Sequence, residues 1–227
     1  MKVTAVLPAY NAEKTLQKTY DAIPKEAVHE IILVDDASTD ETVKAANNIS
    51  DLIVVIHEKN KGYGGNQKTC YTEALKRGAD IVIMIHPDFQ YDPSYVPKMI
   101  EPIIKNQVDM VLGSRFIRQD PRKQGMVWWR YFGNRFLTGL ENFTLKTQLS
   151  EAHSGYRAYS RKLLTTIPFM GFSNNFVFDS EMLVAVARKH YRIAEVGIPT
   201  RYLSDSSSIS FSASVQYGLA TLKSLLP

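Results

Sequence analysis

The sequence predicts an α/β protein: a mostly parallel β-sheet with helices on both faces. Three observations carry that expectation. Short β-branched runs recur through the first half, at Val3 to Leu7, Ile31 to Val34, Leu52 to Ile56, Ile81 to Ile85 and Val108 to Leu112. Between them lie segments with apolar residues at helical spacing, such as Thr69 to Arg77. The runs are continuously apolar and do not alternate, which is the pattern of strands buried on both sides. A chain of 227 residues, 44% hydrophobic and 22% charged, is long enough to bury a substantial core, and its composition excludes collagen-like and low-complexity classes.

In a parallel sheet, ligands bind beyond the carboxyl ends of the strands, so the polar residues after each run are the candidates for function. The first run is followed by Pro8-Ala9-Tyr10-Asn11-Ala12-Glu13 and the second by Asp35-Asp36-Ala37-Ser38-Thr39-Asp40. Both place acceptors and an aromatic ring at one sheet edge, which suits a nucleoside: carboxylates accept from ribose hydroxyls or a base N–H, and Tyr10 lies against the base. Ser38 and Asp40 are equally good helix N-cap residues, with Glu41 and Thr42 opening the next helix. Asp36 belongs to an acidic pair at the end of an apolar strand and needs a partner to be tolerated there.

After the third run, Gly62-Tyr63-Gly64-Gly65-Asn66-Gln67-Lys68-Thr69 nearly spells the phosphate loop G-x-x-x-x-G-K-[ST]. Gln67 stands where a glycine would let backbone N–H groups wrap a phosphate, and the segment follows the third strand, not the first. It reads instead as a Gly-rich turn before the Cys70 helix, with Gly62 shaping the rim of a nucleotide site. After the fourth run comes His86-Pro87-Asp88-Phe89-Gln90. Alternate positions His86, Asp88 and Gln90 project three ligand atoms to one side, a spacing suited to one divalent cation that bridges two phosphates. His-Pro and Asp-Pro dipeptides also favour plain turns.

The second half holds an aromatic and basic stretch from Phe116 to Lys146, a Gly155-Tyr156-Arg157 run, an expected helix from Phe178 to Lys189 and an expected strand from Arg192 to Ile198. Residues 204 to 210 read as a mobile loop before an amphipathic segment, Val215 to Leu226. No repeat or linker interrupts the chain, so one domain over 1–227 is expected, divided at 114 and 203. Twenty-seven basic against 23 acidic residues give a net charge of +4, compatible with anionic ligands and too weak to indicate nucleic acid. The single cysteine, Cys70, cannot form an intrachain disulfide, so a cytoplasmic location is expected. The first apolar run is cut by Pro8, too short for a signal peptide, and the other runs fall far below the roughly 20 residues that span a bilayer.

Taken in order, the Pro8–Glu13 segment, Val34-Asp35-Asp36-Ala37-Ser38-Thr39-Asp40, Asn60-Lys61-Gly62-Tyr63-Gly64-Gly65-Asn66, His86–Gln90 and Gly113-Ser114-Arg115-Phe116 resemble the inverting family 2 glycosyltransferases, which have the nucleotide-diphospho-sugar transferase (GT-A type) fold. The resemblance runs from about residue 3 to residue 201. Gly113–Phe116, Ser154-Gly155-Tyr156-Arg157 and Gly197-Ile198-Pro199-Thr200-Arg201-Tyr202 make it similar to the polyprenyl-phosphate sugar transferases, dolichyl-phosphate mannosyltransferase among them. The resemblance implies a nucleotide-sugar-binding half at 1–114, an acceptor-binding half at 115–203, and a loop with an amphipathic end at 204–227. It implies that Pro8, Tyr10, Glu13 and Asp36 line the nucleoside pocket and that His86, Asp88 and Gln90 occupy the metal triplet. His86 stands where the family usually has Asp; a neutral imidazole weakens the preference for Mg²⁺ and tolerates Mn²⁺ better. Glu151 likewise replaces an expected Asp.

Inverting transfer is one displacement at the anomeric carbon, so the protein must stabilise the departing diphosphate, here through Asp88 and its cation, and present a nucleophile from the opposite face. A hydroxyl acceptor needs a general base, for which Asp179 and Glu181 are candidates; at a helix start they serve equally as charge compensation. A phosphate acceptor is already anionic and needs only positioning by fixed cations, for which Arg115, Arg130, Arg157 and Arg201 are candidates, Arg115 and Arg201 with a catalytic part as well. From 115 to 135, six basic residues (Arg115, Arg118, Arg122, Lys123, Arg130, Arg135) stand against one acid, Asp120, interleaved with Trp128, Trp129, Tyr131 and Phe132. That mixture suits a helix in a membrane interface, or a cover for the core, or a subunit contact. Three expectations follow. The first is a Mn²⁺- or Mg²⁺-dependent hexosyltransferase using a nucleotide-diphosphate sugar and a polyprenyl phosphate, peripheral at the cytoplasmic membrane face. The second keeps the donor and uses a soluble hydroxyl acceptor; the third is a non-catalytic nucleotide-binding module at a membrane surface.

Overall fold

The computed structural model describes residues 1–118, 120–201 and 211–226. Its strands are β1 (Val3–Ala9), β2 (Glu30–Asp35), β3 (Leu52–Ile56), β4 (Ile81–Met84), β5 (Met110–Ser114), β6 (Arg157–Ser160) and β7 (Ile193–Gly197). They form one sheet in the order β3-β2-β1-β4-β6-β5-β7. β1 to β4 are mutually parallel where they pair, β6 is inserted antiparallel to both β4 and β5, and β7 runs parallel to β5.

The helices are α1 (Leu16–Ala22), α2 (Thr42–Asn47), α3 (Tyr63–Lys76), α4 (Val96–Ile104), α5 (Trp128–Leu145), α6 (Arg161–Thr166), α7 (Phe178–Arg188) and α8 (Phe211–Ser224). Side chains alternate across each strand, and the two cores follow that period of two. Ala5, Leu7, Leu33, Ile81 and Ile83 point to the face covered by α1, α2 and α4, while Val6, Ile32, Val82 and Met84 meet α3, α6 and α7. Fully burying one such aliphatic side chain stabilises the fold by roughly 1.5–3 kcal/mol. Every residue of β1 is buried, as a central strand requires, and Pro8 sits beyond the last β1–β4 pair, Val6 with Met84, where its missing N–H breaks no rung on that side.

The sheet grows outward from β1 in two directions, through β2 and β3 on one side and β4 on the other. A crevice therefore opens at the carboxyl ends of β1 and β4, where the winding reverses. The expected strands are present with ends shifted by a few residues; β5 starts at Met110, not Val108. Two expectations are corrected. The Gly-rich segment is not a turn: α3 begins at Tyr63, because Gly64 and Gly65 lie against the 173–174 backbone and Asn174 O accepts from both of their N–H groups. A Cβ on Gly64 would collide with Ser173 O and lie 2.7 Å from Phe178 Cβ, so the glycines serve helix packing. The Gly155-Tyr156-Arg157 run, expected only as a motif, leads into a strand, with Arg157 as the first residue of β6. The expected loop at 204–210 lies outside the described residues. Among those described, no helix is long and apolar enough to cross a membrane.

Candidate functional site

A cavity of about 1130 Å³ opens at the carboxyl ends of β1, β2 and β4 and continues between α5 and α8. Its strand-end wall contains Pro8, Tyr10, Asn11, Asp36 and Gly62. The Tyr10 ring is 53% exposed at this wall, available to lie against a planar ligand. Asp36 is buried and finds the partners that its position demanded: Oδ1 pairs with His57 Nδ1 at 2.7 Å and accepts from Lys61 N at 2.8 Å, and Oδ2 accepts from Gly62 N at 2.9 Å. Gly62 has φ +81°, and a Cβ there would come within 2.6 Å of Asn174 O, so glycine alone fits.

The loops after β1 and β2 are tied together. Ser38 Oγ accepts from Asn11 N at 2.9 Å, and Asn11 Oδ1 accepts from Thr39 N at 2.9 Å. Asp40 caps the start of α2 by accepting from Thr42 N at 3.0 Å; burial raises its pKa, but hydrogen bonds from Thr42 and the Glu13 N–H outweigh that and hold it below the usual range. Glu13 is a correction. Its carboxylate accepts from Glu41 N at 2.9 Å, and it does not line the cavity, because the orphan N–H groups at the start of α2 claim it.

His86, Asp88 and Gln90 all line the cavity. Asp88 Oδ1 accepts from Gln90 N at 2.9 Å across a turn whose Phe89 has φ +55°. The His86 ring stacks on Tyr63, with centroids 5.5 Å apart and planes at 17°, and its Nε2 lies 3.2 Å from the Tyr63 hydroxyl. Gly155 makes room for it: a Cβ there would lie 2.6 Å from His86 Nε2. Among the described residues, no three His, Cys, Asp or Glu side chains converge on one point. One carboxylate, one imidazole and one amide oxygen form a donor set that suits a borderline divalent cation, provided that phosphate oxygens and water complete its coordination. The residues present fit such an ion.

Arg201 is the second correction. Its Nη2 pairs with Asp92 at 2.7 Å, its guanidinium lies 4.5 Å from the Phe89 ring centroid, and its N–H donates to Gln90 O at 2.9 Å. It braces the His86–Gln90 turn from outside the cavity wall. Arg157 is the third. Wholly buried, it donates from Nε to Ser154 O at 2.8 Å, from Nη1 to Asp179 O at 2.7 Å and from Nη2 to Ala152 O at 3.0 Å. All three arms of the guanidinium are committed to carbonyls, so it pins the 152–154 loop to α7. Burial alone would lower its pKa, yet the charge of Asp179 and the Tyr159 hydroxyl raise it overall.

Arg115 and Arg130 do line the cavity. Arg115 is aimed by the buried Glu151, which it meets through Nη2 and through Nε at 2.7 Å; Asn134 Nδ2 donates to the same carboxylate at 2.9 Å. Glu195 anchors that segment by accepting from Ser150 N at 2.7 Å and Glu151 N at 3.0 Å. Asp179 also lines the cavity, with Oδ2 accepting from the Tyr63 hydroxyl at 2.7 Å and Oδ1 from Gln67 Nε2 at 3.3 Å. Burial, and then the charge of Asp179, push the Tyr63 phenol well up. Glu181 is held elsewhere, accepting from Ser173 N at 2.7 Å and Ser173 Oγ at 2.9 Å.

Sequence reasoning missed Tyr63 and Gln67, whose placement inside a Gly-rich run concealed a first helical turn. It also missed the apolar continuation of the cavity, where Trp129, Phe136 and Leu137 of α5 face the same space as Val215, Leu219 and Leu222 of α8. α8 is fixed there by polar contacts: Tyr217 Oη lies 2.8 Å from His153 Nδ1 and 3.0 Å from Ser180 Oγ.

Comparison with known proteins agrees with this architecture. The chain is 28% identical to the UDP-N-acetylglucosamine–dolichyl-phosphate N-acetylglucosaminyltransferase of Methanococcus voltae, over 96% of this chain and 94% of that protein. It is 31% identical to an uncharacterised protein of Methanocaldococcus jannaschii, over 91% of this chain and 84% of that one. Glucosyl-3-phosphoglycerate synthase from Mycobacterium tuberculosis, solved with Mn²⁺, UDP-glucose and phosphoglyceric acid, shares the fold with a TM-score of 0.76 at 23% identity, over 100% of this chain and 80% of that one. Residues 4–167 match glycosyl transferase family 2, and with the sheet order and the strand-end cavity in place, the chain belongs to that family and has its nucleotide-diphospho-sugar transferase fold.

Proposed function

We propose that the protein transfers a hexose, with inversion, from a nucleotide-diphosphate sugar to a polyprenyl phosphate at a membrane surface. One observation carries the reading: a single cavity joins the strand-end carboxylates to an apolar groove between α5 and α8, with Arg115 and Arg130 in its wall. A nucleotide sugar needs the first part, a lipid chain the second, and a phosphate headgroup the cations between. The name of the M. voltae relative, which pairs a UDP-sugar with dolichyl phosphate, supports the same combination. The neighbour solved with Mn²⁺ and UDP-glucose supports the donor and the cation.

Tyr10 would cover the base, and Asp36, held rigid by His57 and two backbone N–H groups, would accept a hydrogen bond from base or ribose at the remaining lone pair of Oδ2. Asp88, with His86 and Gln90, would hold a divalent cation, which supplies charge neutralisation at the leaving diphosphate. Arg115, aimed by Glu151, would orient the acceptor phosphate so that one of its oxygens attacks the anomeric carbon from the face opposite the diphosphate. The new bond is carbon to phosphate oxygen, the bond lost is carbon to diphosphate oxygen, and no proton need leave the nucleophile. Asp179 suits that chemistry better than hydroxyl activation, because its oxygens already accept from Tyr63 and Gln67 and face Arg157 at 3.8 Å.

The outer face of the groove supports membrane docking. Trp128 (70% exposed), Phe132 and Phe143 (87% exposed) project from one helix that also carries Arg135 and is preceded by Arg122 and Lys123. An amphipathic face of aromatics with basic neighbours binds anionic lipid surfaces. The test is radiolabelled transfer: protein, Mn²⁺, a short-chain polyprenyl phosphate and, in turn, UDP-, GDP- and dTDP-sugars. Label extracted into organic solvent from one donor is the expected result. Turnover with only a soluble hydroxyl acceptor, or with no acceptor tried, contradicts the proposal.

A further inference from the structure

The inference concerns Tyr63 and rests on the cation site proposed above. The ring of His86 is held from one side by the Tyr63 stack and given room by Gly155, so its place is fixed before any ligand arrives. The tautomer of the neutral ring follows from counting hydrogens. Both oxygens of Asp179 act as acceptors, Oδ2 from the Tyr63 hydroxyl and Oδ1 from Gln67 Nε2. Tyr63 owns one hydroxyl hydrogen, and the shorter contact, 2.7 Å to Asp179 Oδ2, takes it. The contact of 3.2 Å between the Tyr63 oxygen and His86 Nε2 is then a hydrogen bond only if Nε2 carries the hydrogen. The imidazole is thereby left with its lone pair on Nδ1, on a ring that lines the cavity two positions from Asp88. A ligating histidine is ordinarily oriented in this way, with its other ring nitrogen donating to an acceptor anchored by the protein.

We infer that Tyr63 is a positioning residue which, relayed through Asp179, holds His86 as the Nε2–H tautomer and so presents Nδ1 as a nitrogen ligand that favours Mn²⁺ over Mg²⁺. Imidazole nitrogen suits the borderline ion, whereas Mg²⁺ prefers oxygen donors. The relay also explains why a tyrosine opens α3 beside four residues chosen for small size or polarity, and why position 155 is glycine.

The experiment is pulsed electron paramagnetic resonance on the purified protein with Mn²⁺ and UDP, without acceptor or turnover. The expected spectrum shows nitrogen hyperfine modulation from a directly bound imidazole, altered when histidine is isotopically labelled and absent in His86→Asp, which binds Mg²⁺ better than the parent does. Tyr63→Phe keeps the stacked ring and loses the relay; Mn²⁺ affinity by calorimetry should fall about tenfold, with Mg²⁺ affinity nearly unchanged. Bound Mn²⁺ without nitrogen modulation overturns this inference alone and leaves the transfer reading standing. A Tyr63→Phe protein that matches the parent for both ions overturns it as well. If neither ion binds with or without UDP, the cation site itself falls, and the inference falls with it.

Discussion

At the strand-end side of the cavity, carboxylates are held by backbone N–H groups and one histidine, whereas at the helix side, guanidinium groups are held by buried acids and carbonyls. Asp88 and Asp40 each accept from an N–H two residues away, and Asp36 accepts from N–H groups 25 and 26 positions on. Arg115 is set by Glu151, 36 positions on, and the Glu151 segment by Glu195, a further 44 on. The first arrangement rests mainly on backbone N–H donors, near in sequence for Asp88 and Asp40 and farther for Asp36. The second is tertiary, and most of its cations are consumed in making it. An arginine in a tight motif is needed as often to brace a neighbouring segment as to grip a phosphate, and in this chain Arg157 and Arg201 do the former while Arg115, paired with the buried Glu151, also faces the cavity.

The contrast can be broken at several points. The largest effect belongs to Asp88→Ala, which should lower sugar transfer about 10³-fold, roughly 4 kcal/mol of barrier, with the fold unchanged by circular dichroism. Survival of most activity would remove Asp88 from the chemistry. Glu151→Ala leaves the Arg115 guanidinium without its buried acid and should cost about 3 kcal/mol of stability, read as a lower urea midpoint. A shift near zero would mean that the helix side does not depend on this buried ion pair.

Gly155→Ala sharpens the boundary between the two regions, because the added methyl would sit 2.6 Å from His86 Nε2. A loss of about 1–2 kcal/mol is expected, together with weakened Mn²⁺ binding; unchanged binding would mean that the ring does not need this seat. Asp109 tests a remote tie of the tertiary kind. Burial raises its carboxyl, but hydrogen bonds from the Arg192 backbone and guanidinium outweigh that and hold it below the usual range. A folded value below the unfolded one stabilises above the unfolded pKa and is lost as pH falls through the folded value. Asp109→Asn should therefore be less stable than the parent at neutral pH and converge with it in strong acid. The smallest stability change, within about 0.5 kcal/mol, is expected for Trp128→Ser with Phe143→Ser, both far exposed, while sedimentation with anionic vesicles drops. Retained vesicle binding would place membrane contact elsewhere.

How much was legible in the sequence follows the same division. The strands β1 to β4 and the residues after them declare themselves, because a buried parallel strand is a continuous apolar run and its end must be polar. Strand β6 did not, since Arg157–Ser160 is four residues with polar ends, too short for any period to register. Nor did the first turn of α3: glycines normally break helices, and only the nearby 173–174 backbone shows why small residues are required. Glu13, two positions beyond Asn11 and equally polar, turns to the start of α2, a choice fixed by where that helix lands. The groove between α5 and α8 needs two segments that are far apart in the chain, and no local pattern reports their meeting.

A crystal soaked with Mn²⁺ and UDP, measured at the manganese absorption edge, tests the central claim most directly. The anomalous peak should lie within bonding distance of Asp88, against the His86 side of the cavity and beside the diphosphate, with the uracil near Tyr10 and Asp36. A peak remote from Asp88, or UDP bound away from the ends of β1 and β4, would contradict the account.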